Sequence, residues 1–433
     1  MPTPSLILVP ARFKTGKLYT PLATTSGGTV LGASGDFNVT RATTATRVNA
    51  SGYIESVASG VPRLDYFASG GVVGCPALLV EPSGQNLALQ SENFVTTWAA
   101  NNLNITSGFT SPFNNANGTL IEATSVAGRL RQTIAAITSG TTHTFSLFAK
   151  ADSFALTSGI TLTVNDGTSS NYASGVCQAF RLDTGALGTS GTVGAGFTLT
   201  RASIENYGNG WYRCNMTVTA SYTPATSIIG VRATSTISAG LPSTASGSTV
   251  YIWGAQLETG SVATSYIPTT TASVTRNAEV ISTANQVSGC IGQTEGTVYA
   301  EIVNTLRTYV SFGYVVRVYA DDNNEVWIRK EQSTNTYTIR WRANSQDTTF
   351  TSISIPNGAS KIAIGYKSGD TALFLNGSQV GTTNTDVRAF SVGPNTVALG
   401  STGFDAYFRD RIRSVALYTT RLTNAQLAAL TQP

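Results

Sequence analysis

Apolar and polar side chains alternate over much of this chain at the two-residue spacing of a β-strand. In the segment THTFSLFAK, for example, Phe145, Leu147 and Ala149 fall on one face. Turn sequences such as NDG, TG and GNG separate these segments. Residues that favour helices are scarce, since charged residues make up 12% of the chain and methionine occurs at only 2 positions. The pattern predicts an all-β fold with antiparallel strands.

The spacing of these segments divides the 433 residues into four predicted parts. Residues 1–80 contain short extended pieces broken by Gly, Ser and Thr clusters, such as TTSGGTV from Thr24, and predict an extended region without a large core of its own. Residues 81–268 predict an antiparallel β-sandwich, and residues 269–293 a polar connector. Residues 294–433 predict a second sandwich or jelly roll.

Three short motifs predict local structure. Gly52 suits a turn between two extended strands. Asn376 and Gly377 predict a two-residue hairpin, because both tolerate the positive φ angles of a type I′ turn. Near the C-terminus, Thr423 and Gln426 have the spacing of a capping box and predict the start of a short helix.

The segment GAQLETGSVATSYIPTT follows the apolar run VYIW in the middle of the chain. VYIWGAQLE predicts a strand that closes the first sandwich, with a turn at Gly260. Tyr266 and Ile267 are predicted to anchor the exit on that sandwich, and Pro268 to mark its end. The motif is therefore interpreted as a strand and its exit, and not as a ligand site.

The distribution of charged and apolar residues argues against nucleic acid and membranes as partners. The net charge of +4 is spread without blocks and gives no reason to expect nucleic acid. No segment approaches the roughly 20 apolar residues of a membrane helix, and the N-terminus has no signal-peptide core. We therefore expect neither membrane insertion nor a signal peptide. The 4 cysteines are far apart in the sequence and lack the paired spacing of a zinc site, which predicts free thiols.

Candidate catalytic residues are few. A catalytic triad or an imidazole zinc site would need His143, the one histidine, but its place inside a strand favours no chemical role. The nearest carboxylate cluster, Asp321, Asp322 and Glu325, is interpreted as a solvated hairpin loop because it lacks the paired spacing of a glycosidase. The sequence thus predicts a protein that is not an enzyme.

Two resemblances to known families add to this interpretation. The run KIAIGYKSGDTALFLNGSQVGT, followed by VALGS and FRDRIRSVALYTTRLTNAQLAAL, resembles the laminin G-like or concanavalin A-like superfamily. The motifs GDFNVTRATTATRVNASGYIESVASGVPRLDY, CPALLVEPSGQNLALQSENF and IWGAQLETGSVATSYIPTTTASVTRNAEV resemble a series common in bacteriophage virion proteins. The middle part is similar to carbohydrate-binding β-sandwich modules.

These resemblances imply a virion structural protein, such as a tail fibre, that displays lectin-like domains for host surface glycans. They imply attachment to the tail or capsid through residues 1–80, a homotrimer by analogy with fibres, and synthesis in the host cytoplasm before assembly into the virion. Two alternatives stay open: a capsid-decorating or head-fibre protein without a specific ligand, and a polysaccharide depolymerase.

The same families suggest where ligands bind. If Val326 and Ile328 face the core, Trp327 and Arg329 face outward and form a candidate carbohydrate platform. Trp341, a third candidate on the next strand, has the opposite orientation from its neighbouring arginines. The alternative is a tryptophan packed under a loop.

Trp211 and Trp253 belong to the family motifs, and both are assigned to the sandwich core. No cofactor is expected. A structural calcium ion stays open, although no spacing selects among its candidate ligands, which are Asp321, Asp322, Asp370 and Asp405.

Overall fold

The computed structural model describes residues 2–24, 28–30, 35–67, 74–152, 159–167, 174–283, 285–305, 311–332, 334–402 and 406–433. Its main sheets are antiparallel and enclose two separate hydrophobic cores, so the predicted all-β sandwich architecture is confirmed. We call the two units the middle sandwich and the terminal sandwich. Among the described residues, no helix has the length and apolar composition needed to cross a membrane.

The middle sandwich consists of two sheets of six strands. One sheet has the strand order Ala99–Asn101, Arg129–Ile134, Ser227–Arg232, Gly159–Asp166, Gly175–Arg181 and Ala186–Val193. The other has the order Leu103–Phe109, Gly118–Ala123, Thr249–Thr259, Thr142–Ala151, Trp211–Ala220 and Phe197–Gly208. Phe145, Leu147 and Ala149 all lie in the core between the sheets, as their alternation predicts.

The terminal sandwich consists of two sheets of nine strands. Seven strands of the first follow the order Ser378–Asn384, Thr371–Leu375, Gly358–Lys367, Glu295–Asn304, Arg411–Tyr418, Leu6–Leu8 and Leu22–Ala23. Ala77–Leu79 joins this sheet at Arg411–Tyr418 and pairs with Leu64–Asp65. The second has the order Phe13–Lys14, Lys17–Leu18, Phe37–Thr40, Val280–Thr283, Thr396–Leu399, Gly313–Asp321, Asn324–Lys330, Thr336–Ala343 and Gln346–Ser354.

The N-terminal strands are part of the terminal sandwich, which differs from the predicted division of the chain at residues 80 and 294. Leu6–Leu8 pairs with Arg411–Tyr418, and Phe37–Thr40 pairs with Val280–Thr283. Leu6, Leu8 and Phe37 are fully buried in the same core as the C-terminal strands. Short apolar strands cannot bury both faces alone, so they complete sheets formed by later residues. Attachment of residues 1–80 to a virion stays a prediction.

The predicted connector, residues 269–293, also contains regular structure. Val274–Arg276 pairs with Gly84–Asn86, Val280–Thr283 enters the terminal sandwich, and Ser288–Cys290 forms a 3₁₀ turn. The segment therefore connects the sandwiches through paired backbone. Another short strand pair, Ile237–Ser238 with Leu241–Pro242, lies beside the middle sandwich.

The three local motifs have the predicted structures. Gly52, with φ of 81°, lies in the turn between strands Ala45–Val48 and Ile54–Val57. Asn376 and Gly377 have φ of 47° and 85° and join strands Thr371–Leu375 and Ser378–Asn384. The helix Asn424–Thr431 begins with the predicted capping box: the Thr423 hydroxyl accepts from the Gln426 amide N–H, and the Gln426 side chain accepts from the Thr423 amide N–H.

Candidate functional site

The predicted carbohydrate platform has the expected orientation but not an exposed ring. Val326 and Ile328 lie in the core, so Trp327 is on the outer face of its strand. Its side chain is nevertheless buried, because the guanidinium carbons of Arg329 and Arg340 lie 4.5 and 4.6 Å from the ring centroid. Stacking of a sugar needs a free aromatic face, whereas this buried ring already has two guanidinium groups packed over it. Trp327 is therefore a packed residue of this surface.

The other two predicted platform residues are separated by the sheet. Trp341 is fully buried in the core of the terminal sandwich, beside Tyr366 and Phe390. Arg329 is partly exposed and pairs with Glu331 at 2.9 Å. The two residues lie on opposite faces of the sheet, so they cannot contact one ligand.

The carboxylates of the Asp321 hairpin have local partners. Asp321 accepts from the backbone N–H of Asn323, and Asp322 pairs with Arg317 at 2.6 Å. Glu325 pairs with Arg317 at 2.7 Å and also contacts Arg340. Asp321 and Asp322 are exposed at the hairpin, as interpreted, but Glu325 is not part of a solvated loop, because it is buried on strand Asn324–Lys330 between its arginine partners.

The calcium candidates do not converge in the described part of the chain. Asp370 pairs with Arg421 at 2.7 Å, and Asp405 lies outside the described residues. Across the described ranges, no group of three or more His, Cys, Asp or Glu side chains has the arrangement of a metal site.

His143 and the cysteines lie in structural positions. His143 is buried on strand Thr142–Ala151, and its Nε2 is 3.2 Å from the Thr259 hydroxyl. Burial lowers the pKa of His143 below its ordinary value, which favours the neutral ring. The four cysteines are all free, as predicted, and three of them are buried.

Trp211 and Trp253 are buried, but they lie outside the main core of the middle sandwich. They form a separate aromatic cluster with Phe148, Tyr266 and Ile54. Their strands turn these side chains to the outer face, where the hairpin of Ala45–Val48 and Ile54–Val57 covers them. The prediction that both tryptophans lie in the sandwich core is therefore wrong: they are buried, but on the outer face of their sheet.

Next to this aromatic cluster, buried charges form what we call the arginine–glutamate cluster, consisting of Arg41, Arg63, Glu81, Arg276 and Glu279. Arg63 contacts Glu279 at 2.5 Å and Glu81 at 2.8 Å. Arg41 pairs with Glu279 at 3.0 Å, and Arg276 lies 3.5 Å from both carboxylates. All of these side chains are at most 2% exposed.

The charges of the cluster compensate for the cost of burial. Burial alone raises the pKa of Glu81, but the positive charges of Arg276 and Arg63 outweigh it and hold the pKa well below its ordinary value. Burial likewise lowers the pKa of Arg63, and the charges of Glu279 and Glu81 more than reverse this. Each charge is stabilised by its neighbours, so removal of one partner leaves another buried and uncompensated.

The GAQLETGSVATSYIPTT segment connects this cluster to the middle sandwich. Its strand, Thr249–Thr259, lies inside the sheet, and Tyr266 and Ile267 are buried as predicted. The Ser265 backbone N–H and hydroxyl both donate to Glu81, at 2.9 and 2.7 Å. The arginines and glutamates of this cluster thus hold the junction between the two sandwiches.

A polar cleft of about 350 Å³ lies beside this junction. One wall belongs to the edge strand Phe197–Gly208 of the middle sandwich, and the other to the terminal sandwich around Asn304 and Gly358. The side chains that line it include Phe67, Arg201, Glu205, Tyr212, Thr305 and Asn357. The cleft lining combines aromatic rings with hydrogen-bond donors and acceptors.

Sequence patterns did not identify this cleft. Its lining comes from distant segments that no single motif contains, and it exists only because the two sandwiches are held side by side. The sequence did carry a signal for the neighbouring junction, because its arginines and glutamates stand next to short apolar strands, and charged side chains are rarely buried unless they are paired.

Comparisons with protein families and with curated protein sequences give no match. Solved structures that resemble part of the chain include the CBM40 domain of Ruminococcus gnavus IT-sialidase, with 16% identity over 34% of this chain and 92% of that one, at a TM-score of 0.29. Domain 4 of AbnA, a GH43 extracellular arabinanase from Geobacillus stearothermophilus, in complex with arabinotriose, aligns over 40% of this chain and 82% of that one, with 16% identity and a TM-score of 0.29. A leech intramolecular trans-sialidase aligns over 32% of this chain at 18% identity and a TM-score of 0.28, and this chain spans only 23% of its length.

Proposed function

We propose that this chain is a structural and adhesion protein of a bacteriophage particle, and that it binds a host surface glycan without cleaving it. The observation that carries the binding part is the cleft of about 350 Å³ between the two sandwiches. Its size falls in the range of small-ligand sites, and its lining supplies what an oligosaccharide requires. The virion part rests on the sequence motifs that resemble bacteriophage proteins.

The cleft suits a sugar for chemical reasons. The Tyr212 ring is half-buried and offers apolar surface to the C–H groups of a pyranose. The Phe67 ring contributes to the wall but is already covered by the Arg411 guanidinium, 4.7 Å from its centroid. Arg201 can donate to sugar hydroxyls, and the Asn357 side chain can both donate and accept. Residues from both sandwiches would therefore contact the same ligand.

A glycan array with the purified full chain, followed by binding to host cells, tests this proposal. Asn357→Ala and Arg201→Ala remove one polar group from each wall, whereas Asn277→Ala removes an exposed amide that does not line the cleft. We expect both cleft variants to weaken binding about tenfold or more, from the loss of one or two hydrogen bonds, and the control to bind normally.

Other outcomes would identify a different function. Binding that is unchanged in both cleft variants would reject the cleft as the site. Absence of any binding, in a protein that is stably built into virions, would favour a decoration protein. Sustained release of reducing ends from host polysaccharide would favour a depolymerase.

A further inference from the structure

A buried lysine, asparagine and aspartate meet in the core of the terminal sandwich. Lys330, Asn304 and Asp410 are each 0% exposed. The Lys330 Nζ atom lies 2.8 Å from Oδ1 of Asn304 and 3.3 Å from Oδ2 of Asp410. Asn304 also borders the cleft, but the glycan-binding proposal assigns no contact to any of these three side chains. An ordinary sandwich core would be apolar at this position.

The three residues come from both sheets of the sandwich. Asn304 ends strand Glu295–Asn304 of one sheet, and Asp410 precedes the neighbouring strand Arg411–Tyr418. Lys330 ends strand Asn324–Lys330 of the facing sheet. A bond between Lys330 and Asn304 would therefore join the two sheets through the core.

Hydrogen bonds fix the orientation of the Asn304 amide. Its Nδ2 donates to the carbonyl oxygens of Ile355 and Pro356, at 2.8 and 3.1 Å, so Oδ1 must point toward Lys330. The Tyr337 hydroxyl also donates to Oδ1, at 3.2 Å. A carbonyl that accepts two donors is polarised, and the same donors would stabilise negative charge on that oxygen during nucleophilic attack.

We propose that Lys330 and Asn304 form an intramolecular isopeptide bond, with Asp410 as the proton carrier. In a buried site, transfer of a proton from the Lys330 ammonium to the Asp410 carboxylate replaces an ion pair with two neutral groups, which lowers the desolvation cost. The transfer yields a neutral amine, the nucleophilic form of lysine.

The reaction balances without a redox partner. The Nζ atom attacks Cγ of Asn304, and an Nζ–Cγ bond forms. Asp410 passes protons from Nζ to Nδ2, the Cγ–Nδ2 bond breaks, and the nitrogen leaves as ammonia, which carries the remaining proton away as ammonium. Nothing is oxidised or reduced, and the carbon keeps its acyl oxidation state.

Intact-mass spectrometry of the full chain tests the proposal directly. We expect the protein to weigh less than its encoded sequence by one ammonia molecule, after allowance for the initiator methionine. A proteolytic digest should contain one branched peptide that joins Lys330 to Asn304. A wild-type mass equal to the encoded mass would overturn the proposal, whether or not any variant folds.

Variants separate this bond from other losses of ammonia. Succinimide formation at Asn376-Gly377 would produce the same mass change, so the mass must return to the encoded value in Lys330→Arg, which keeps the charge but cannot form the amide. Asp410→Asn keeps both reacting groups and should also restore the encoded mass. Lys367→Arg, at an exposed ion pair, should retain the ammonia loss. Persistence of the loss in Lys330→Arg would refute the assignment.

Discussion

Arg63 and Glu279 form a double ion pair at the buried junction of the two sandwiches, with Nε–Oε1 and Nη2–Oε2 distances of 2.5 and 2.7 Å. The two residues are far apart in the chain, and each also contacts other members of the arginine–glutamate cluster. The planar, two-point geometry fixes orientation as well as distance. The pair therefore couples the N-terminal region to the segment that leaves the middle sandwich.

Glu279→Gln should strongly destabilise the protein. The change leaves Arg41, Arg63 and Arg276 with one carboxylate, Glu81, in a buried site. Removing one partner of a buried ion pair costs about 3–5 kcal/mol. Chemical denaturation should show this loss, whereas Glu55→Gln, at the partly exposed Arg47 pair, should change the free energy of unfolding by about 1 kcal/mol or less. Equal effects of the two substitutions would contradict the role of the cluster.

Acid should weaken the same junction through Glu81. Its folded pKa lies well below the unfolded value of about 4.5, because the attraction of Arg276 and Arg63 exceeds the effect of burial. Ionised Glu81 therefore contributes stability above pH 4.5, and this contribution is lost as the pH falls through the folded pKa. The free energy of unfolding of the wild type should approach that of Glu81→Gln as the pH is lowered from 7 to 3. A constant difference would argue against this linkage.

Gly254→Ala should destabilise the middle sandwich more than Gly140→Ala. Both glycines have positive φ, 64° and 76°, so both substitutions incur a backbone cost of about 1 kcal/mol. At Gly254 the new methyl group would also lie 3.0 Å from the Phe148 ring and 3.2 Å from Tyr266, whereas Gly140 has open space. Overpacking adds about 1–3 kcal/mol, which thermal or chemical unfolding can resolve. The prediction fails if the two variants are equally stable.

A fragment of residues 294–433 should not fold as a stable sandwich. It lacks Leu6–Leu8, which pairs with Arg411–Tyr418, and Val280–Thr283, which pairs with Thr396–Leu399. The fragment would expose apolar core and open sheet edges, which promote aggregation. Circular dichroism and gel filtration should show an aggregated or non-cooperative species, with the full chain as the control. A monomer with a sharp unfolding transition would disprove the expectation.

The sequence predicted those elements whose signal is local. Alternation around Phe145 predicted a core-facing strand, Asn376 and Gly377 predicted a hairpin, and Thr423 with Gln426 predicted a helix start. Each depends on backbone preferences within a few residues, so no distant contact can easily override it.

Long-range relationships could not be predicted in this way. The alternation in Leu6–Leu8 predicts a strand but does not indicate that its partner is Arg411–Tyr418. At Trp327 the pattern correctly gave the outer face, but it could not show that two guanidinium groups cover the ring. The cleft was missed for the same reason, because its walls belong to different sandwiches.

The pairing of Leu6–Leu8 with Arg411–Tyr418 has a consequence during synthesis. Leu6–Leu8 leaves the ribosome long before Arg411–Tyr418. At synthesis rates of roughly 5–20 residues per second, the delay between the two strands is roughly 20–80 seconds. The middle sandwich draws its sheets from a continuous stretch of chain and can fold in that interval. The apolar strand Leu6–Leu8 must meanwhile avoid pairing with strands of neighbouring chains, so the synthesis of Arg411–Tyr418 ends the period in which its open edge favours misassembly.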